Sequence, residues 1–320
     1  MYLFLRDRLE HYQIFIYFFA VISAVGIAFL VAGTDVLESW ITPSLGLMLF
    51  VTFLQVPLAD LGRAFTRIRF LAALIISNFL IIPLLVALLV QFLPTTNLMV
   101  KLGFLLVLLT PCIDYVVTFS HIGKADSRLL LASTPALLVI QMLLLPVYLR
   151  VFFGDSVADL VQFEPFVDAF VWLIVVPLFL AVLVQLWAAR SKLGSRVEVG
   201  LGLLPVPATA LVLFIVVTAV VPQLGAAIEV ALLVVPFYVV FAVTAPFIGW
   251  VVARVVKLEV SAARAVAFSS ATRNSLVVLP LALAVPGAIP VLPAIIVTQT
   301  LVELVASIIY MRLIPKLGAT

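Results

Sequence analysis

Four side chains able to do chemistry stand inside otherwise apolar stretches: Cys112 and Asp114 in TPCIDYVVTF, Arg273 in SSATRNS, and Glu303 in QTLVELV. Asp114 can take up and release a proton, or cap a half-helix that begins after Pro111. Arg273 cannot practically lose its proton, so it needs acceptors or a counter-charge, and Asp114 is the nearest good candidate. Arg273 is then either half of a fixed ion pair joining the two polar interruptions or an internal cation that binds an anion or stands in for a metal ion. Glu303 has Gln299 one helical turn before it on the same face, and is either a proton carrier or a neutral, hydrogen-bonded acid. Cys112, the one cysteine, sits between a helix-breaking proline and a carboxylate. It is either a small buried hydrophobe or a thiol for a soft, thiophilic solute.

The elements that must position these groups follow from composition. The 320 residues are 66% hydrophobic and only 10% charged, whereas soluble domains carry roughly 25% charged residues. The chain therefore reads as an all-α polytopic membrane protein, with the lipid bilayer as its main partner. Apolar stretches of membrane-crossing length predict ten spans, near residues 13–32, 41–58, 70–93, 101–120, 129–151, 166–188, 203–222, 229–252, 262–285 and 290–312. The basic residues alternate with that count. Arg6, Arg8, Arg63, Arg67, Arg69, Lys124, Arg128, Arg190, Lys192, Arg196, Arg254, Lys257, Arg264, Arg312 and Lys316 fall on one side. Lys101 and Arg150 fall on the other, and Arg273 lies within a span. The positive-inside rule then puts both termini in the cytoplasm of a multi-pass protein of the plasma (inner) membrane. The start, MYLFLRDRLEHYQ, has no small-residue cleavage site, so no removable signal peptide is expected.

The halves echo each other. Residues 1–160 hold spans 1 to 5 and residues 161–320 hold spans 6 to 10, and in each half the fourth span is interrupted by polar residues. Pro111 marks the first interruption, and Ser269, Ser270 and Thr272 flank Arg273 in the second. Two five-helix repeats of opposite orientation are the plan of secondary transporters, whose broken helices build a binding site near the midplane. Gln55, Asn78, Gln141, Thr110, Thr272, Asn274 and Ser275 each suit an interhelical hydrogen bond better than a ligand contact when taken singly. Asn274 stands apart because it shares its interruption with Arg273. No phosphate-binding loop, HExxH, CxxC or nucleophile-elbow pattern occurs. That argues against an ATP-driven pump, a resident metal or other cofactor, and an enzyme, and the pI near 9.1 reflects membrane topology, with no call for nucleic acid.

With these residues assembled, the chain resembles the bile acid/sodium symporter superfamily, and within it the arsenic resistance permeases. The likeness runs through GLMLFVTFLQVPL in span 2, SNFLIIPLLVALL in span 3, TPCIDYVVTFSHIGKAD in span 4 and QTLVELV in span 10. It implies a core domain from spans 3–5 and 8–10, a panel domain from spans 1–2 and 6–7, and crossing of spans 4 and 9. It also implies export of arsenite or antimonite by an antiporter that exchanges protons. Cys112 would meet the metalloid beside Thr110, Arg273, Asn274 and Ser275, with Asp114 and Glu303 as proton carriers. Sodium-coupled members carry a glutamate and a glutamine in span 9, where this chain has Ser269 and Arg273, so its sodium sites read as lost. The arsenite branch has an acid near the position of Ser275. The alternative cargo is a small organic anion, carried without sodium and paired to Arg273.

Overall fold

Inside a bilayer no water is available to backbone N–H and C=O groups, so a spanning chain must satisfy them within itself. The computed structural model meets that constraint mainly with helices. It describes residues 2–56, 67–112, 115–154, 167–168, 171–224, 227–283, 285 and 287–318. Among the described residues there is no named strand, and eight helices are long and apolar enough to cross a membrane. They stand at eight of the ten expected positions. At the other two, expected spans 4 and 9, the chain forms pairs of shorter helices separated by a break.

In chain order the helices are α1 (Tyr2–Leu30), α2 (Ile41–Leu54), α3 (Ile68–Gln91), α4 (Leu98–Leu108), α5 (Tyr115–Ile122), α6 (Ser127–Phe153) and α7 (Val171–Arg190). After these come α8 (Lys192–Leu201), α9 (Pro205–Leu224), α10 (Ile228–Val255), α11 (Val260–Ala271), α12 (Ser275–Leu283) and α13 (Val291–Leu313). Two features depart from the expected spans. Helix α1 begins well before residue 13, because the Arg6–Glu10 pair, 2.7 Å apart at i,i+4, carries the helix beyond its apolar part. Helix α8 lies between expected spans 6 and 7, started by Ser191, whose Oγ accepts from the Leu193 and Gly194 N–H groups.

The chain divides into two compact units, each assembled from two separate segments. One comprises residues 1–59 and 167–226. Within it α1 packs on α9, and α2 packs on both α7 and α9. Ala20, Ala24 and Ala28 form a buried stripe of small side chains along α1, which lets helix backbones approach closely. Gln185 on α7 donates to the Leu54 and Val56 carbonyls where α2 ends.

The other unit comprises residues 60–166 and 227–320 and contains both breaks. Here α10 packs on α11 and α13, and α13 packs on α4 and α12. Two prolines leave carbonyls without an intrahelical donor, and two tyrosines on other helices supply it. Pro83 orphans the Phe79 carbonyl in α3, which accepts from Tyr148 Oη at 2.6 Å. Pro246 orphans the Ala242 carbonyl in α10, which accepts from Tyr310 Oη, also at 2.6 Å. Tyr310→Phe should therefore lower stability by about 1 kcal/mol, measured as thermal unfolding in detergent. In a Pro246→Ala background, which restores the helical N–H, the same substitution should cost distinctly less; equal costs in both backgrounds would show that the tyrosine does not replace the missing donor.

Candidate functional site

The two breaks lie against each other, and their extended backbones bond as a minimal antiparallel pair. Helix α4 stops at Leu108, and Thr110 folds its hydroxyl back onto the Leu106 and Val107 carbonyls at 3.0 and 3.1 Å. Helix α11 stops at Ala271, where Thr272 turns extended and donates its hydroxyl to the Phe268 carbonyl. Pro111 and Arg273 then face each other as an isolated antiparallel bridge. The Cys112 N–H donates to the Thr272 carbonyl at 3.0 Å, and the Asn274 N–H to the Thr110 carbonyl at 2.8 Å. Pro111 occupies the position of this ladder that needs no donor. The proline that breaks α4 thus leaves no amide N–H unsatisfied.

Opposite Pro111, the Arg273 N–H turns away to Glu303 Oε2 at 2.6 Å, which also accepts from Gln299 Nε2 at 2.6 Å. Glu303 and Gln299 lie on one face of α13, as their spacing requires, and both are buried. Ser275, at the start of α12, is tied to the same helix by Thr300, whose hydroxyl donates to Ser275 Oγ at 2.8 Å.

The Arg273 side chain is fully buried, at 0% exposure, and is enclosed by oxygen. One terminal nitrogen donates to the Leu108 carbonyl at 3.3 Å. The other donates to Asn78 Oδ1 at 2.8 Å and to the Ser269 and Ser270 carbonyls at 2.9 and 2.7 Å. The guanidinium carbon lies 5.4 Å from the centre of the Phe241 ring, within cation–π range. Three of these acceptors are last-turn carbonyls of α4 and α11, so one positive charge sits at the negative ends of both half-helices.

Asn78 is positioned by a π turn, Ser77–Ile81, within α3. The extra residue in that turn brings two consecutive polar side chains inward. Ser77 Oγ lies 2.6 Å from Ser270 Oγ, and Asn78 Nδ2 donates to Leu74 O and Ser269 Oγ. Space for Ser270 comes from Gly249 on α10, where a Cβ would fall 2.5 Å from the serine Oγ. Ser77, Gly249 and Phe241 were not singled out from the sequence. Their role depends on the π turn and on helix contacts that no motif encodes.

The structure thus brings Thr110, Pro111, Cys112, Ser269, Ser270, Thr272, Arg273, Asn274, Ser275 and Glu303 into one polar cluster. Asp114 lies outside the described residues, and with it the expected Arg273–Asp114 pair. Cys112 is buried, at 1% exposure. Asn274 is equally buried, yet neither Oδ1 nor Nδ2 meets a protein partner. Among the described residues no group of three or more His, Cys, Asp or Glu could hold a metal ion.

The profile of the sodium bile acid symporter family matches residues 42–230, more than half of the chain. None of the curated proteins matches it.

The buried network makes a graded prediction. Glu303→Gln keeps an acceptor for the Arg273 N–H and should leave the protein folded, whereas Glu303→Leu strands a buried donor beside a buried cation and should cost ~3–5 kcal/mol. Asn78→Leu, which removes one of the guanidinium's acceptors, should cost ~1–3 kcal/mol. Thermal melts of the three purified variants test the order, and a Glu303→Leu protein as stable as wild type would contradict the network.

Proposed function

Because the chain belongs to the sodium bile acid symporter family, and so is a membrane transporter of that type, we propose that it is a sodium-independent secondary transporter exporting a trivalent metalloid in exchange for protons. The carrying observation is the Arg273 guanidinium, held by three carbonyls and the Asn78 amide oxygen. Freed carbonyls at half-helix C-termini are the groups with which transporters of this architecture coordinate sodium. Here a positive charge tethered to the chain satisfies them, so no sodium ion is needed to hold the breaks together.

The same geometry bears on the cargo. The rival, a small organic anion paired to Arg273, has less support because both terminal nitrogens already donate to protein oxygens, so the forked pairing a carboxylate needs is taken and only the buried Nε is left open. The neutral amide of Asn274, next to the Cys112 segment, has both its polar atoms open to a solute. A neutral donor–acceptor group and a thiol suit undissociated arsenous or antimonous acid, which carries hydroxyls and a thiophilic centre. Glu303, bonded to the backbone at the crossing, is suited to link protonation to the arrangement of the two breaks, and Asp114 is its partner in that role.

The proposal includes ten spans in two inverted repeats, with spans 4 and 9 as the broken members. The unit containing residues 60–166 and 227–320 would be the core and the other unit the panel, in an inner membrane with both termini cytoplasmic. Support for it comes from two breaks at corresponding places in the halves and from the alternation of basic residues.

Everted vesicles bearing the protein should take up arsenite when a pH gradient is imposed, and a sodium gradient alone should give none. Cys112→Ser should lower that uptake at least tenfold, and Glu303→Gln or Asp114→Asn should flatten its dependence on the gradient. Sodium-driven uptake by the wild type would overturn the tethered-cation reading. Undiminished transport by Cys112→Ser would move the search to cargoes without thiol affinity.

A further inference from the structure

Gln141 is 1% exposed, and neither its Oε1 nor its Nε2 meets a protein hydrogen-bond partner. Leaving such a group unpaired is destabilising, and a leucine would fill the position without that cost. The same condition holds for Asn274 at the crossing.

The fold puts each of the two near the middle of a membrane segment. Helices α5 and α6 are joined by a tight turn, where His121 Nδ1 and Ser127 Oγ lie 3.4 Å apart. From that level Gln141 is 14 residues along α6, or ~21 Å at 1.5 Å per residue. Up the neighbouring helix, Tyr115 is six residues from His121, or ~9 Å. Cys112 precedes Tyr115 by three residues, a step that reaches at most ~10 Å. Gln141 is thus near the middle of the 27-residue α6, as the Pro111–Cys112 break is near the middle of the segment formed by the 11 residues of α4 and the 8 of α5. Helix α6 packs against both α4 and α5, and Gln141 lies on its buried face with Thr134, Leu137, Leu138 and Leu145.

We propose that Gln141 is a further solute-contacting, specificity-setting residue, whose carboxamide joins that of Asn274 in reading the hydroxyl groups of the solute at the crossing. This rests on the transport reading above. A carboxamide offers one accepting oxygen and two donors, so two of them can pair with hydroxyls that both donate and accept, while the Cys112 thiol meets the central atom. Both amides are neutral, which favours an uncharged solute over an ion at this depth.

Two measurements test the assignment. Gln141→Leu should raise the KM for arsenite about tenfold, the loss of roughly one buried hydrogen bond, with kcat changed less than twofold. It should leave unchanged the KM for a monomethylated arsenous acid that has lost the hydroxyl read at this position. An unaltered arsenite KM overturns the assignment. The second measurement does not depend on the cargo: Gln141→Cys in a Cys112→Ala background is treated in everted vesicles with a cationic methanethiosulfonate, with and without arsenite. Reaction slowed by arsenite supports both the residue and the cargo. Reaction that arsenite does not slow supports Gln141 as part of the solute path, the loss of the Cys112 thiol in this background having already weakened arsenite binding. A thiol that reacts only after denaturation is plain packing, and overturns the proposal.

Discussion

The structure depends on one constraint: two helices are interrupted where lipid offers no hydrogen bonds, and the freed backbone must be satisfied by protein. Each interruption is answered by the other. Cys112 and Asn274 donate across the crossing to Thr272 and Thr110, and the residue opposite Arg273 is the proline that has nothing to donate. Neither break would be tolerable alone at this depth. Their pairing fixes the rest of the geometry, because once Pro111 faces Arg273 the side chain of Arg273 is committed to the ends of α4 and α11.

That commitment separates the four half-helix ends by charge. The C-terminal ends of α4 and α11 carry negative partial charge and hold the guanidinium, while the N-terminal ends of α5 and α12 point their positive partial charge at the same region. A mobile cation between the first two ends would leave and return with each cycle. A guanidinium cannot, so no sodium has to bind for the ends of α4 and α11 to stay satisfied. On the proposed reading, coupling runs through a group that can change charge in place. Glu303 meets that requirement geometrically, since its carboxylate oxygen accepts the Arg273 N–H and the Gln299 amide.

Much of this was legible from residue types. Membrane-length apolar runs placed the helices, and polar residues inside two of those runs marked the breaks, because nothing else justifies Pro111 or Arg273 in lipid. The partner of Arg273 was less legible. The expected acid at position 114 lies outside the described residues, and the observed partners are three backbone carbonyls and Asn78. Carbonyl acceptors have no sequence signature. The inward turn of Asn78 depends on the π turn at Ser77–Ile81, which adjusts register within a helix that otherwise looks uniform. Helix α8 escaped notice because its charged, capped segment reads as a loop between two spans.

The polar residues of the unit that holds the breaks fall into two groups, and the division carries functional meaning. Ser77, Asn78, Ser270, Thr272, Ser275 and Thr300 each have bonded partners, and their loss would loosen a helix contact. Gln141 and Asn274 are just as deeply buried, and neither polar atom of either carboxamide has a partner among protein groups; Ser307 Oγ, Gln299 Oε1 and Arg273 Nε are single atoms in the same condition. A buried amide without a partner lowers stability, and in a membrane helix an apolar side chain of similar size is the ready alternative. Two such amides in the interior of one unit are understandable if the missing partner is a solute that arrives and departs. The paired residues then hold the crossing together, and the unpaired ones are the groups a cargo would satisfy.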